Sequence, residues 1–215
     1  PPWSKRLTMS YLVLEPNRTA VLFFDMLNAY HSNDELVVQN CARLRTAADD
    51  AGIVVAFAMA NHRPDGADAA LLYSDTNYAM VPWENPETEQ IGKNRKMVAD
   101  SWDIQILDAL KPKPEDYVIK KHRWNAFHGT SLELSLRTRG IDTVLLCGGA
   151  VHIGIASTAF GARDLDFNLV VVSDCCDDGL EGAQEYWMKR VFPMMARVRT
   201  VDQVVGMMEA GTKKA

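Results

Sequence analysis

The sequence predicts an α/β fold with three layers, α/β/α, around a mainly parallel, roughly six-stranded sheet of Rossmann-like kind. Three observations predict it. Apolar runs such as TAVLFFDM (Thr19 to Met26) and GIVVAFAMA (Gly52 to Ala60) lack polar alternation, as strands buried on both faces do. Segments with helical spacing separate these runs, and strand–helix alternation builds a parallel sheet covered on both faces. The chain has 215 residues, 47% hydrophobic and 24% charged, which suffices for a sizeable core.

In chain order, Thr19 to Met26 is the first strand. Asn33 to Ala51 reads as a helix, with Ser32 or Asn33 as its cap and Gly52 as its stop. Gly52 to Ala60 is the second strand, and DYVIKK (Asp116 to Lys121) is a shorter third. IDTVLLCGG (Ile141 to Gly149) and FNLVVVSD (Phe167 to Asp174) are two more buried strands. ARVRTV (Ala196 to Val201) is an edge strand. Helices fill the gaps over Asp103 to Leu110, Ser131 to Arg139, Ile153 to Asp164, Leu180 to Val191 and Val201 to Ala210. Residues 18–215 read as one domain. Residues 1–17 read as an N-terminal arm, either flexible or added to the natural chain. The polar stretch Arg63 to Trp102, with its prolines and aromatics, reads as a lid or subunit contact, because long aperiodic segments in compact domains are usually functional.

Composition narrows the function. A net charge of −5 argues against nucleic acid as a partner, since phosphate binding needs a basic surface. No long apolar segment marks a signal peptide or a membrane span. The four cysteines, Cys41, Cys147, Cys175 and Cys176, lack the spacing of a zinc site or a disulfide framework, so reduced thiols in a cytoplasmic protein are expected.

Ligands of parallel sheets bind beyond the carboxyl ends of the strands. Four features fall there. Asp25 follows VLFF, where a carboxylate is costly unless paired or used; a turn-capping Asp is the bland alternative. Lys120 or Lys121 ends the third strand, unless both are ordinary exposed lysines. GGAVHIG (Gly148 to Gly154) opens a helix and presents backbone N–H groups suited to an anion, or is simply a tight turn. Asp174 is best read as a cap or turn residue.

With these residues in place, the chain resembles the isochorismatase-like hydrolases, often called cysteine hydrolases. VLFFDM is similar to that family's first strand and catalytic Asp, here Asp25. KKHRWNAFHGTSLELSLRTRGIDTVLLCGG is similar to its most recognisable block, and by that register the catalytic lysine is Lys121. STAFGARDLDFNLVVVSDCC and VFPMMARVRTVDQV resemble the following helix and strand and the closing segment. The resemblance implies a cysteine nucleophile on the turn, at a position that Gly154 occupies here. Some family members carry glycine there, and the isochorismatases are similar to this chain in His152, Ile153 and Gly154. The resemblance further implies a cis peptide bond between Gly149 and Ala150. A metal-binding branch places an Asp where this chain has Ala60, so no metal is expected, and no cofactor.

A site without sulfur cannot form the usual acyl-enzyme. An enol ether needs none: protonation of its terminal carbon gives an oxocarbenium ion, which water captures. Asp25 is the candidate proton donor, and Lys121 and the N–H groups of the turn are candidates for stabilising charge. Arg123, His152, Ala150, Val151 and Trp102 are candidate substrate contacts, with Arg63 and Arg95 as further carboxylate binders. Lys121 beside Asp25 would favour the carboxylate, whereas burial would favour the acid. Two other readings stay open: an amide or ureide hydrolase whose nucleophile was lost or replaced, and a ligand-binding member without activity. A small-molecule substrate and a homo-oligomer, dimer or tetramer, complete the expectations.

Overall fold

The computed structural model describes residues 13–33, 35–68 and 97–213. Among them the strands are β1 (Thr19–Phe24), β2 (Val54–Ala60), β3 (Tyr117–Lys121), β4 (Thr143–Gly148), β5 (Asn168–Cys176) and β6 (Arg197–Arg199). They form one sheet in the order β3-β2-β1-β4-β5-β6, with every pairing parallel. The predicted fold class is therefore the observed one.

The physical reason lies in the side chains. All six residues of β1 and all six of β4 are buried. Phe23 stacks on Phe57 of β2 with ring centroids 5.2 Å apart. Burying a phenylalanine side chain contributes about 1.5–3 kcal/mol, so the central strands supply much of the core energy. Helix α1 (Leu36–Asp50) buries Val38, Cys41, Leu44, Arg45 and Ala48, the spacing of one helical face. It packs against α5 (Val201–Thr212), which buries Val201, Val204, Met207, Met208 and Gly211. Thr200 and Gln203 form a reciprocal capping box at the start of α5. The other helices are α2 (Leu132–Arg137), α3 (Ala156–Asp164) and the short α4 (Ala183–Tyr186). Strand order runs one way from β1 to β3 and the other way from β4 to β6. Right-handed crossovers then place α1 and α3 on opposite faces.

Several boundaries differ from the sequence reading. Asp103 to Leu110 is not one helix but two 3-10 turns, Trp102–Ile104 and Asp108–Leu110. The chain between them is drawn into an antiparallel bridge, Ile106 with Leu27, which a continuous helix would forbid. The helix expected from Leu180 starts at Ala183, because Gly182 is left-handed at φ 75°, and it ends in a π turn over Trp187–Val191. The helix expected from Ile153 is preceded by a π turn over Val151–Ile155. Of the N-terminal arm, Leu14 is buried and its N–H donates to the Met207 carbonyl at 3.0 Å. Most of the expected lid, including Tyr73, Tyr78, Trp83 and Arg95, lies outside the described residues.

The winding reverses between β1 and β4, and a doubly wound sheet opens a crevice at such a point. Asp25 follows β1 there, and the turn starting at Gly149 follows β4.

Candidate active site

Asp25 is held by the backbone before any partner is considered. Its N–H donates to the Ala58 carbonyl at 2.8 Å, and its φ of 48° lies in the left-handed region, which Asp tolerates better than most residues. That bend turns the carboxylate back over the sheet end, where Oδ1 accepts the Ala60 N–H at 2.9 Å. Lys121 ends β3, two strands away, in register with Ala60. Its chain passes over the β2 end and brings Nζ to 2.7 Å from Asp25 Oδ2. Lys121 is 5% exposed and Asp25 7%, so the pair is buried. Of the two lysines, Lys121 is the one that meets Asp25, and Lys120 is exposed.

Burial pushes the Asp25 carboxyl above the ordinary carboxylate range, although Lys121, the Ala60 N–H and His62 all pull the other way. The opposition between burial and Lys121 thus resolves toward the acid form. The Lys121 ammonium also sits over the Phe24 ring, 4.3 Å from its centroid.

The turn after β4 contains the cis peptide bond Gly149–Ala150 that the resemblance implied. Gly148 has φ 117°, and a Cβ there would lie 2.9 Å from the Phe24 carbonyl carbon, so only glycine fits. The turn is tied down from the chain after β5. Val151 N–H donates to the Asp177 carbonyl at 3.0 Å, and His152 N–H donates to Asp178 Oδ2 at 2.7 Å. His152 Nδ1 lies 2.6 Å from the same oxygen. These two N–H groups are engaged within the protein. Ala150 accepts the N–H groups of Ile153 and Ile155, and Gly154 is buried against Phe24.

Arg123 is exposed, and its Nη1 donates to the carbonyls of Asp68 (2.9 Å) and His122 (2.6 Å). With Asp68, His122, His128 and Gly129 it lines an open cleft. Trp102 is 64% exposed, and its carbonyl accepts from Asn28 Nδ2 at 3.3 Å, in the loop that follows Asp25. Arg63 is exposed and bound to Asp65. Asp174 accepts the Val201 N–H at the head of α5, a capping role.

All four cysteines are buried and free. Burial pushes the Cys147 thiol up to about 11, which removes it as a thiolate near neutral pH. Cys41, from α1, lies between Cys147 and Cys175, a convergence that sequence spacing did not signal.

Other groups near the crevice also escaped the sequence reading. His62, Asp68 and His122 present ligand atoms within 4.8 Å of one another, as do His31, Glu35 and Asp177. The first set could hold a divalent cation: burial lowers the His62 pKa against the pull of Asp68, which favours the neutral imidazole that metals need. The one signal available in sequence was the placing of His62 and His122 just after strands.

The fold and this arrangement belong to a known class of α/β/α domains. A profile of the Isochorismatase domain matches residues 19–203, and the chain belongs to that family. It is 41% identical over 110 residues to the uncharacterized isochorismatase family protein YecD of Escherichia coli O157:H7, covering 51% of this chain and 58% of that protein. It is 30% identical over 200 residues to the uncharacterized isochorismatase family protein YwoC of Bacillus subtilis, covering 91% of this chain and 96% of that one. An isochorismatase family structure from Burkholderia thailandensis is 31% identical, with a TM-score of 0.75 over 92% of this chain and 98% of that chain. Two similar proteins have names that state a role. They are a ureidoacrylate amidohydrolase, RutB, of Acinetobacter baylyi (28% identical, 76% of this chain, 72% of that protein) and the phenazine biosynthesis protein PhzD of Pseudomonas fluorescens (27% identical, 89% and 87%).

Proposed function

We propose that this hydrolase cleaves a small, carboxylate-bearing metabolite by protonation from Asp25 and attack of water, as in enol-ether hydrolysis, without a protein nucleophile. One observation carries the reading. The buried Asp25–Lys121 pair, 2.7 Å apart, shares the Phe24 ring with Gly154, the residue that the family resemblance aligns with the nucleophile, and every thiol of the chain is buried and free. Asp25 delivers its proton to the terminal carbon of the enol ether. The oxocarbenium ion adds water, and the hemiketal collapses to a ketone and an alcohol. The Lys121 ammonium stabilises the carboxylate left on Asp25, which regains its proton from the water that adds to the oxocarbenium ion. Arg123 and the cleft that it lines with Asp68, His122, His128 and Gly129 suit the substrate carboxylate. His152, Ala150 and Trp102 are further substrate contacts in this reading, whereas Val151 is wholly buried. No cofactor is needed for this sequence of steps.

Similarity to a ureidoacrylate amidohydrolase supports a second reading, hydrolysis of an amide or ureide by an activated water. Loss of activity in a member that only binds ligand is the third. A screen of isochorismate, amides and ureides with wild type and Asp25→Asn separates them. Turnover of an enol ether that Asp25→Asn abolishes supports the first reading. Turnover of a ureide alone selects the second, and binding without turnover in both proteins selects the third.

We further propose a cytoplasmic homo-oligomer. Among the described residues no helix is long and apolar enough to cross a membrane. Trp124 (55% exposed) and Phe160 (48%) emerge where the loop after β3 meets α3, a surface suited to a second copy.

A further inference from the structure

We propose that Phe24 decides which kind of nucleophile this site can use. Its ring fills the volume that any side chain at position 154 would need, so attack comes from water and not from protein sulfur. This inference rests on the water-dependent reading above and names the residue that enforces it.

Phe24 is the last residue of β1 and is 1% exposed. A Cβ built on Gly154 falls on the edge of its ring, nearest Cε1, with Cζ at 2.5 Å and Cδ1 at 3.1 Å. A cysteine sulfur would lie further along the same direction. Moving the ring aside would disturb its surroundings. Its backbone is paired on both sides, with Ala58 in β2 and Gly148 in β4. Its carbonyl accepts the Gly149 N–H at 3.3 Å. Its face carries the Lys121 ammonium, so displacing the ring would also remove a cation–π contact from a buried charge. Phe24 and Gly154 are thus a complementary pair: the aromatic ring requires the glycine, and the glycine alone would not readmit a nucleophile. The same ring gives the crevice an apolar wall beside Asp25, in keeping with the burial that raises that carboxyl.

A thermodynamic cycle tests this without any substrate. Gly154→Cys, Phe24→Val and the double variant are compared with wild type by melting temperature and by iodoacetamide labelling of the native proteins, read by mass spectrometry. The four natural thiols are buried, which keeps the wild-type background low. Gly154→Cys is expected to melt several degrees below wild type and to label slowly. The double variant is expected to regain part of that loss and to label about ten-fold faster or more, because its thiol gains room and access. A Gly154→Cys protein as stable as wild type, labelled as fast as the double variant, overturns the proposal. Where Gly154→Cys fails to fold, Gly154→Ala with and without Phe24→Val gives the same cycle: rescue supports the proposal, and additive losses overturn it. Failure of the water reading itself looks different, as a substrate-derived adduct on a cysteine of the wild-type enzyme during turnover.

Discussion

Lys121 Nζ and Asp25 Oδ2 lie 2.7 Å apart across 96 positions of sequence, and both side chains are almost wholly buried. Removing Asp25 leaves the buried Lys121 ammonium without its partner, and removing Lys121 leaves the buried Asp25 carboxyl without its hydrogen-bond donor. Lys121→Met or Asp25→Ala is therefore expected to cost about 3 kcal/mol or more of stability. The Asp25→Asn/Lys121→Met double variant should lose clearly less than the sum of its single changes. Denaturant titrations of the four proteins measure that coupling, and strict additivity would contradict a paired site.

The direction of the Asp25 shift sets a pH dependence. Its folded pKa lies above the ordinary value of 3.8, so the native state holds that proton more tightly than the unfolded chain does. The associated stability is fully present below pH 3.8 and is lost as pH rises through the raised folded value. If the protonated form is the acid, kcat/KM falls over the same interval. The rate profile on whichever substrate emerges from the screen should show this descending limb. An ascending limb instead would make Asp25 a base.

Asp178 is expected to position the site turn. Its side chain is fully enclosed and accepts the N–H groups of His152 (2.7 Å) and Leu180 (2.8 Å) as well as His152 Nδ1. Asp178→Ala leaves these donors unpaired, each costing about 1–3 kcal/mol if it stays buried. Calorimetry should show a lowered Tm, and activity should fall with it. An unchanged Tm would mean that water replaces the carboxylate without loss.

Chelation tests the cluster of His62, Asp68 and His122. The water-and-acid reading expects activity to survive dialysis against EDTA and the purified protein to carry no stoichiometric divalent metal by elemental analysis. Loss on chelation, restored by one cation and absent in His122→Ala, would move the nucleophilic water onto that cluster.

Assembly has its own test. Trp124→Glu with Phe160→Glu should lower the mass measured by light scattering if this surface joins two copies. An unchanged mass would place the interface elsewhere.

The order of strands and helices was legible because buried parallel strands carry unbroken apolar runs. Local periodicity failed where tertiary contacts intervened. The Ile106–Leu27 bridge unwound an expected helix, and the left-handed Gly182 delayed another. Asp25, Lys121 and the glycine turn were also legible, because each stands at the carboxyl end of a strand. The Phe24–Gly154 contact, the engagement of the Val151 and His152 N–H groups by Asp177 and Asp178, and the convergence of the cysteines were not.

By itself the sequence determined the fold class and the side chains available at the crevice, because burial pattern and strand-end position are local properties. Only the tertiary structure decided that Asp25 is shifted toward its acid form and that an aromatic ring fills the space beside Gly154 that a side chain would need. Both depend on how closely segments distant in the chain exclude water and one another, and no local pattern records that distance.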